Sequence, residues 1–521
     1  MDNPLASRDT TMPPSTASSL PPLQPRDEHN QTLLGNVHPE DWVNPTPAGR
    51  YHLVVVGAGT AGLIAAAFAA GAGARVALVE RHFMGGDCLN VGCVPSKSLI
   101  RSSRVFAELR DAVALGWRVP AGAEADFDAV MTRMRRIRAQ ISPNDSASRY
   151  RDQKGVDVFL GSGQFTSETT LEVGGATLRF KKAVIATGAR AAQLPIPGLA
   201  EAGYLTNETV FNLTALPRRL AVIGGGPIGA ELAQAFCRLG ADVTLLERSD
   251  HILVREDPDA AALVQAAMAR DGVRIVVACG VERVERQGDE KVIHFSCDGQ
   301  HSVAVDEILV SAGRAPNTDG LGLDAAGVAF DRKGVTVDDT LQTSNPRVYA
   351  AGDICMDWKF THAAEDAARI AVQNALFPGR RQLSALTMPW CTYTDPEVAH
   401  VGLYAHQATE QGVKVATYTH QWRDVDRAIT DGEDDGFVRI HTRKGTDEIL
   451  GATIVASHAG EMISEVTLAM VGKLGLGTLA NVIHPYPTQA DALRRVAFQY
   501  SVTRVTPLVK RLLGLWLKLT G

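Results

Sequence analysis

No run of about 18 apolar residues occurs in the 521-residue chain, so nothing in it reads as a membrane span. No CxxC pair is present and no cysteines or histidines stand at zinc spacing, so no metal site is expected. Seven cysteines are too few for a disulfide scaffold in so long a chain. Only Cys88 and Cys93 are close in sequence, which fits a reducing compartment and a single catalytic disulfide. The chain lacks a basic block and carries a net charge of −6, which argues against a nucleic-acid partner. The first residues do not read as a signal peptide either. Residues 1–47 are rich in Pro, Ser and Thr, have no apolar core, and read as a disordered tail. A cytoplasmic location is the resulting expectation.

What is present is an ordinary globular composition, 45% hydrophobic and 21% charged, long enough for three to four domains. Two segments carry the same βαβ signature. The first, YHLVVVGAGTAGLIAAAFAAGAGARVALVER, turns through Gly57, Gly59 and Gly62 and closes on Glu80. The second, LAVIGGGPIGAELAQAFCRLGADVTLLER, turns through Gly224, Gly226 and Gly229 and closes on Glu247. In such a loop the first glycine permits a tight turn, the second admits a pyrophosphate to the backbone amides, and the third lets helix pack on strand. The phosphate then sits at a helix N-terminus, where free N–H groups favour an anion. The closing acid is placed for ribose hydroxyls. Two bound nucleotides are expected, one per loop. Glu247 would accept from a free 2′-hydroxyl and repel a 2′-phosphate, which favours NADH. Arg248 and Arg255 keep NADPH open.

Just past the first loop lies GGDCLNVGCVPSK, with Cys88 and Cys93. A disulfide needs Cα atoms about 4.4–6.8 Å apart, whereas five residues of regular helix rise roughly 7.5 Å. The backbone between the thiols must therefore bend. Gly85, Gly86 and Gly92 supply latitude, and Pro95 a break. Two unpaired core thiols are the competing reading of this pair taken alone. Lys97 follows Cys93 by four residues, so on a helix both face one way, and the cation can lower a thiolate pKa.

The order of motifs then narrows the choice. After the first loop and the CxxxxC come Ala186-Thr187-Gly188, the second loop, Ser311-Ala312-Gly313-Arg314, and Ala351-Gly352-Asp353. Together, over roughly residues 50 to 500, they resemble the class I pyridine nucleotide-disulfide oxidoreductases, the family of dihydrolipoamide dehydrogenase, glutathione reductase and mercuric reductase. The resemblance implies an α/β fold of two Rossmann-like domains and a C-terminal α+β dimerisation domain. FAD is expected on Gly57, Gly59, Gly62, Glu80, Gly86, Lys97, Thr187, Gly188, Gly313 and Asp353, and NADH or NADPH on Gly224, Gly226, Gly229 and Glu247. It also implies a homodimer whose C-terminal domain completes the neighbour's site. Hydride would pass from nicotinamide to flavin, and from flavin to the disulfide. Cys93 would be the flavin-proximal thiolate, Cys88 the thiol that attacks substrate, and Glu231 the acid that pairs with Lys97. The helix expected from Thr361 would point its positive end at reduced flavin.

One motif departs from the family. Its disulfide reductases carry His-Pro-Thr-x-x-Glu near the C-terminus. Here Ile483-His484-Pro485-Tyr486-Pro487-Thr488-Gln489-Ala490-Asp491 puts Tyr486 at the histidine and Asp491 at the glutamate. A phenol with pKa near 10 is a poor base at neutral pH, where imidazole near 6.5 is poised. His484 is the alternative base. Tyr486 and the run Arg255-Glu256-Asp257-Pro258 are similar to mercuric reductase, yet the last cysteine is Cys391 and no C-terminal thiol pair exists. The expected acceptor is a small-molecule disulfide, thiol or metal-thiolate, with Hg(II) reduction as the alternative and a non-catalytic redox sensor as the reading from another class.

Domain boundaries are expected at 48–200 with 313–383 for FAD, 201–312 for the nicotinamide, and 384–505 for the interface. Residues 506–521 read as a basic amphipathic helix, with Leu508, Leu512, Leu515 and Leu519 at helical spacing and Lys510, Arg511 and Lys518 nearby. Weak contact with a membrane surface and docking on the body or a second subunit are both open for it.

Overall fold

The computed structural model describes residues 20–120 and 122–520, and its first element corrects the reading of a disordered tail over 1–47. Helix α1 spans Glu28–Val37, with Asp27 accepting the Asn30 N–H at 2.8 Å as its N-cap. Leu33 and Val37, one turn apart, are fully buried against the body. Arg138 adds a polar clasp: it donates to Asn30 Oδ1 and to the Asn90 carbonyl, both at 2.7 Å. The remainder of the expected tail, residues 1–19, lies outside the described residues.

Continuous apolar runs become parallel strands that are buried on both faces. β1 (Arg50–Val56) and β2 (Val76–Glu80) pair in parallel, with α2 (Thr60–Gly71) crossing between them. β3 (Asp157–Leu160), β4 (Gly163–Ser167), β5 (Thr170–Val173) and β6 (Ala176–Ile185) complete the path β3-β2-β1-β6-β5-β4. β6 pairs with β5 over its first half and with the strand Val348–Ala350 over its last three residues. The register thus returns a distant segment to this sheet and sets Asp353 near its C-terminal end.

The second unit repeats the pattern. β7 (Arg219–Ile223), β8 (Asp242–Leu246), β9 (Arg274–Val276) and a later strand, Glu307–Val310, form a parallel sheet, and α5, here Pro227–Arg238, crosses from β7 to β8. An antiparallel meander of β10 (Gly280–Gln287), β11 (Glu290–Ser296) and β12 (Gln300–Val305) sits beside it. This meander corrects the expectation of a single disulfide, because Cys279 and Cys297 are bonded. Gly280 pairs with Ser296, so the two cysteines lie directly opposite one another, with Cα atoms 4.6 Å apart, the spacing of a non-hydrogen-bonded antiparallel pair.

The third unit is an antiparallel sheet of Pro389–Thr392, Glu397–Gly402, Ile449–Ala456, Phe437–Arg443 and Val415–Gln421, in that spatial order. Two helices, α7, here Ala459–Val471, and α8, here Asp491–Thr503, pack on it. Their Ile463, Val466, Leu493 and Val496 are buried in its core.

Candidate active site

The first glycine loop ends at the N-terminus of α2, where Gly59 is the N-cap and no side chain caps the free amides. A Cβ on Gly62 would overlap the Gly57 carbonyl oxygen, which is why helix and strand can approach this closely. Glu80 accepts from the N–H of Ala58 at 2.6 Å and of His82 at 2.7 Å. Its acid therefore ties the loop together, and lone pairs remain for a ribose. Burial raises its pKa, with those backbone donors opposing. Gly86, at φ 54°, brings the next segment over the loop: a Cβ there would stand 2.6 Å from Gly59 Cα. Uncapped amides, glycines that keep the cradle clear and a closing acid fit the pyrophosphate and ribose of a dinucleotide.

Between the cysteines the helix breaks, as the Cα arithmetic requires. α3 (Gly86–Asn90) stops at Val91, Gly92 takes φ −133° and ψ −116°, and α4 (Cys93–Ala112) begins at the second thiol. Contrary to expectation, Pro95 does not break a helix; it lies in the first turn of α4, where its missing N–H is no loss. Both thiols are free. Cys93 Sγ lies 3.3 Å from Thr361 Oγ1, at the start of α6, here Thr361–Leu376, so the positive end of that helix faces the sulfur. The neighbouring thiol of Cys88 pulls the Cys93 pKa down, helped by Thr361 and Lys97 against desolvation. Cys88 is pushed the other way by its neighbour Cys93 and by burial. One sulfur is thus set up as thiolate and its neighbour as proton donor.

Lys97 Nζ is 2.7 Å from Glu231 Oε2 on α5 and stands over the Tyr393 ring at 4.5 Å. Glu231 also accepts the Tyr393 N–H at 2.9 Å. A single ion pair therefore joins the three units at the cysteine helix. Asp353 Oδ2 is 3.2 Å from Arg314 Nε, and the same guanidinium donates to Asp87. Burial raises the Asp353 pKa and Arg314 opposes it. Thr187 and Asn317 exchange hydrogen bonds of 2.9–3.0 Å beside Gly188, and Gly188 and Gly313 both take positive φ.

In the second loop Gly226 caps α5 without a side chain, a Cβ on Gly229 would come within 2.5 Å of Ser311 Oγ, and Gly224 has φ 107°. Glu247 accepts from Gly225 N–H at 2.6 Å and Ser249 N–H at 2.8 Å, mirroring Glu80.

The C-terminal candidates assemble differently from the expected alignment. Tyr486 is 71% exposed and donates to Asp426 Oδ2 at 3.0 Å, which raises its pKa further. Asp491 does not orient it; that carboxylate lies 2.6 Å from Arg495 Nε, four residues along its own helix. His484 instead has Nε2 3.1 Å from Glu465, an acid on α7 that carries no local signal in the sequence. Thr361 was expected only as a helix start. Arg255-Glu256-Asp257-Pro258 is structural: Glu256 accepts from Tyr404 Oη at 2.5 Å and Trp390 Nε1 at 2.8 Å.

Comparison with known proteins agrees with this geometry. The family described as pyridine nucleotide-disulphide oxidoreductase matches residues 51–368, and the dimerisation domain of the same family matches 388–497. The chain belongs to the class I pyridine nucleotide-disulfide oxidoreductases. It is 35% identical over 452 residues to a mercuric reductase of Lysinibacillus sphaericus, covering 86% of this chain and 82% of that one. It is 34% identical over 447 residues to a dihydrolipoyl dehydrogenase of Chlamydia muridarum, covering 85% and 95%. Among solved structures, an HOCl-induced flavoprotein disulfide reductase from Escherichia coli superposes with a TM-score of 0.77 at 28% identity, covering 86% of this chain and 99% of that one. As a member of this family the chain is an oxidoreductase that depends on FAD and NAD(P)H and carries a dimerisation domain.

Proposed function

We propose that this oxidoreductase delivers an electron pair from NADH, or with lower preference NADPH, through Cys88 and Cys93 to a disulfide or another thiol-reactive acceptor. The observation that carries the reading is the unequal sulfur pair, with Cys93 at the positive end of α6 and beside Lys97. FAD would be held by the first loop, Gly86, Thr187, Gly188, Gly313 and Asp353, and when bound it supplies hydride acceptance from the nicotinamide and electron transfer to sulfur. The rest falls to the chain. Lys97, fixed by Glu231, favours the Cys93 thiolate. Cys88 attacks the acceptor, and the mixed disulfide then resolves on Cys93. A disulfide acceptor takes two electrons and two protons and leaves as two thiols. Glu247 selects a free ribose 2′-hydroxyl.

Two copies would bring Ile483, Tyr486 and Phe498, exposed at 90%, 71% and 60% on one protomer, against a partner in a homodimer. In that reading His484, held by Glu465 at 3.1 Å, handles the acceptor's proton, because imidazole is the side chain most often used as a general acid and base and a phenol is a poor one at neutral pH. Tyr486 favours a second reading, Hg(II) as acceptor, in line with the mercuric reductases that the chain is similar to.

Steady-state assays of NADH and NADPH against lipoamide, glutathione disulfide and thiol-complexed Hg(II) decide among acceptors. With the preferred acceptor, His484→Gln is expected to lower kcat/KM and alter its pH profile, while Tyr486→Phe leaves the profile in its parent form. A profile unchanged in His484→Gln refutes the assignment of the proton carrier. No turnover with any acceptor, despite bound FAD, refutes the enzymatic reading.

A further inference from the structure

The last helix, α9, here Pro507–Thr520, is bare. None of its residues is buried; Leu512 is 58% exposed, Trp516 64% and Leu519 81%. An apolar side chain left in water is unfavourable by its unburied area, and isolated surface leucines are common, but a whole helix of them needs a partner. At about 100° per residue, the arc from Leu515 through Leu512, Trp516 and Leu513 to Leu517 sweeps roughly 200° of the circumference. Pro507, Lys510, Arg511, Gly514 and Lys518 fill the rest, Thr520 is the one polar residue within the arc, and the helix contains no acid.

Two properties of this face identify what covers it. A helix docked on a protein needs an apolar stripe of about 100°, so a flat surface would leave half of this arc wet. A helix sunk to its axis at a lipid boundary is wetted only on its charged side, which is the division found here. The charge points the same way: three cations border the apolar arc, with stems long enough to keep their heads in water, and without any acid they match an anionic surface. Fourteen residues of helix reach about 21 Å, short of the roughly 30 Å hydrocarbon core, so the helix lies in the plane of the surface and does not cross it.

We propose that α9 is an in-plane anchor that docks the enzyme on anionic phospholipid. The helix follows α8 after a three-residue turn, with Thr506 accepting the Lys510 N–H at 2.9 Å. None of its residues is among those assigned to the nucleotides, the sulfurs or the proton carrier, so it can be altered without changing them.

The test uses the full-length FAD-loaded protein and vesicles of phosphatidylcholine with or without phosphatidylglycerol. Sedimentation with the phosphatidylglycerol vesicles is expected, weaker with phosphatidylcholine alone and weakened by salt. Leu512→Asp with Leu515→Asp should lower vesicle binding by about 100-fold or more while NAD(P)H turnover stays at the parent value. Lys510→Glu with Arg511→Glu should abolish the preference for phosphatidylglycerol. The proposal is overturned by absence of sedimentation at low salt, or by equal binding of the leucine double variant. It is also overturned if that variant halves the particle mass in solution, since a second copy would then be what covers the face.

Discussion

The two glycine loops share one plan and differ in what lies over them. Each uncapped helix start is tied by an acid that accepts two backbone N–H groups, Glu80 in one and Glu247 in the other. Over the first loop Gly86 presses on Gly59, and the cysteine helix follows directly. Over the second, Ile252 and Leu253 lie against Gly225, with the Leu253 N–H donating to its carbonyl at 2.8 Å, but the space at the helix start is open: a Cβ on Gly226 would meet no described atom within 4 Å. Glu80 is 9% exposed, and Glu247 is more open to solvent. A closed loop suits a nucleotide that stays and an open one suits a nucleotide that exchanges. The redox sulfurs are built onto the closed side.

The strongest way to break this comparison is to add one methyl group to each loop. Gly62→Ala and Gly229→Ala place a Cβ against a backbone carbonyl oxygen, of Gly57 and Gly224 respectively, so neither can be relieved by a side-chain rotation. Gly62→Ala should destabilise the fold by about 3 kcal/mol, the upper range for overpacking, and yield protein without flavin colour. Gly229→Ala should keep its flavin and lose on the order of 100-fold in kcat/KM for the nicotinamide. Absorbance of purified protein and its melting temperature read the first, steady-state kinetics the second. Equal flavin loss in both variants would erase the proposed division.

The same comparison shows why parts of the molecule were legible beforehand. Gly57, Gly59, Gly62 and their counterparts sit at fixed offsets because turn, phosphate approach and helix packing each demand glycine locally. Lys97 was legible for a similar reason, being one helical turn from Cys93. Most of the misses are cases where the deciding partner is remote or the local signal is thin. In α1 the apolar anchors are few, Leu33 and Val37 buried and Leu34 partly so, in an otherwise polar stretch, EHNQTLLGNV. Cys279 and Cys297 meet through the register of a hairpin, 18 residues apart in sequence. Glu465 reaches the loop residue His484 from a helix 19 residues earlier in sequence. Asp491 failed in the opposite sense, since a helical i to i+4 pair with Arg495 outcompeted the aligned role.

Within the closed side, the two sulfurs offer a sharper and smaller test. The Cys93 pKa is held down first by the neighbouring Cys88 thiol and then by Thr361 and Lys97. Its thiolate is therefore present above the lowered pKa and lost as pH falls through it. Thiolate absorbance of the reduced protein should titrate with a midpoint below the ordinary thiol value of about 8.5. Cys93→Ser should remove that step. Cys88→Ala should keep it and move the midpoint up by about one unit, equivalent to about 1.4 kcal/mol of lost interaction with the thiolate. A midpoint that does not move in Cys88→Ala would mean that the helix terminus and Lys97 set the thiolate alone.

The smallest expected effect separates covered from open most cleanly. Gly226→Ala adds a methyl group to empty space at a backbone φ of −69°, which alanine adopts freely. Melting temperature and flavin content should stay at the parent values, and any penalty should fall on the approach of the nicotinamide cofactor's pyrophosphate. Gly59→Ala also takes an allowed φ, −75°, but its Cβ would touch Gly86 Cα at 3.6 Å, ordinary packing in a space already closed. A rise of several-fold in KM for NADH at constant kcat is expected for Gly226→Ala, since an interaction weakened equally in ground and transition states lowers binding alone. Gly59→Ala should instead lower flavin occupancy and leave that KM unchanged in the fraction that retains flavin. If Gly226→Ala also sheds flavin, the second loop is not the exchanging site, and the assignment of the two nucleotides to the two loops has to be reversed.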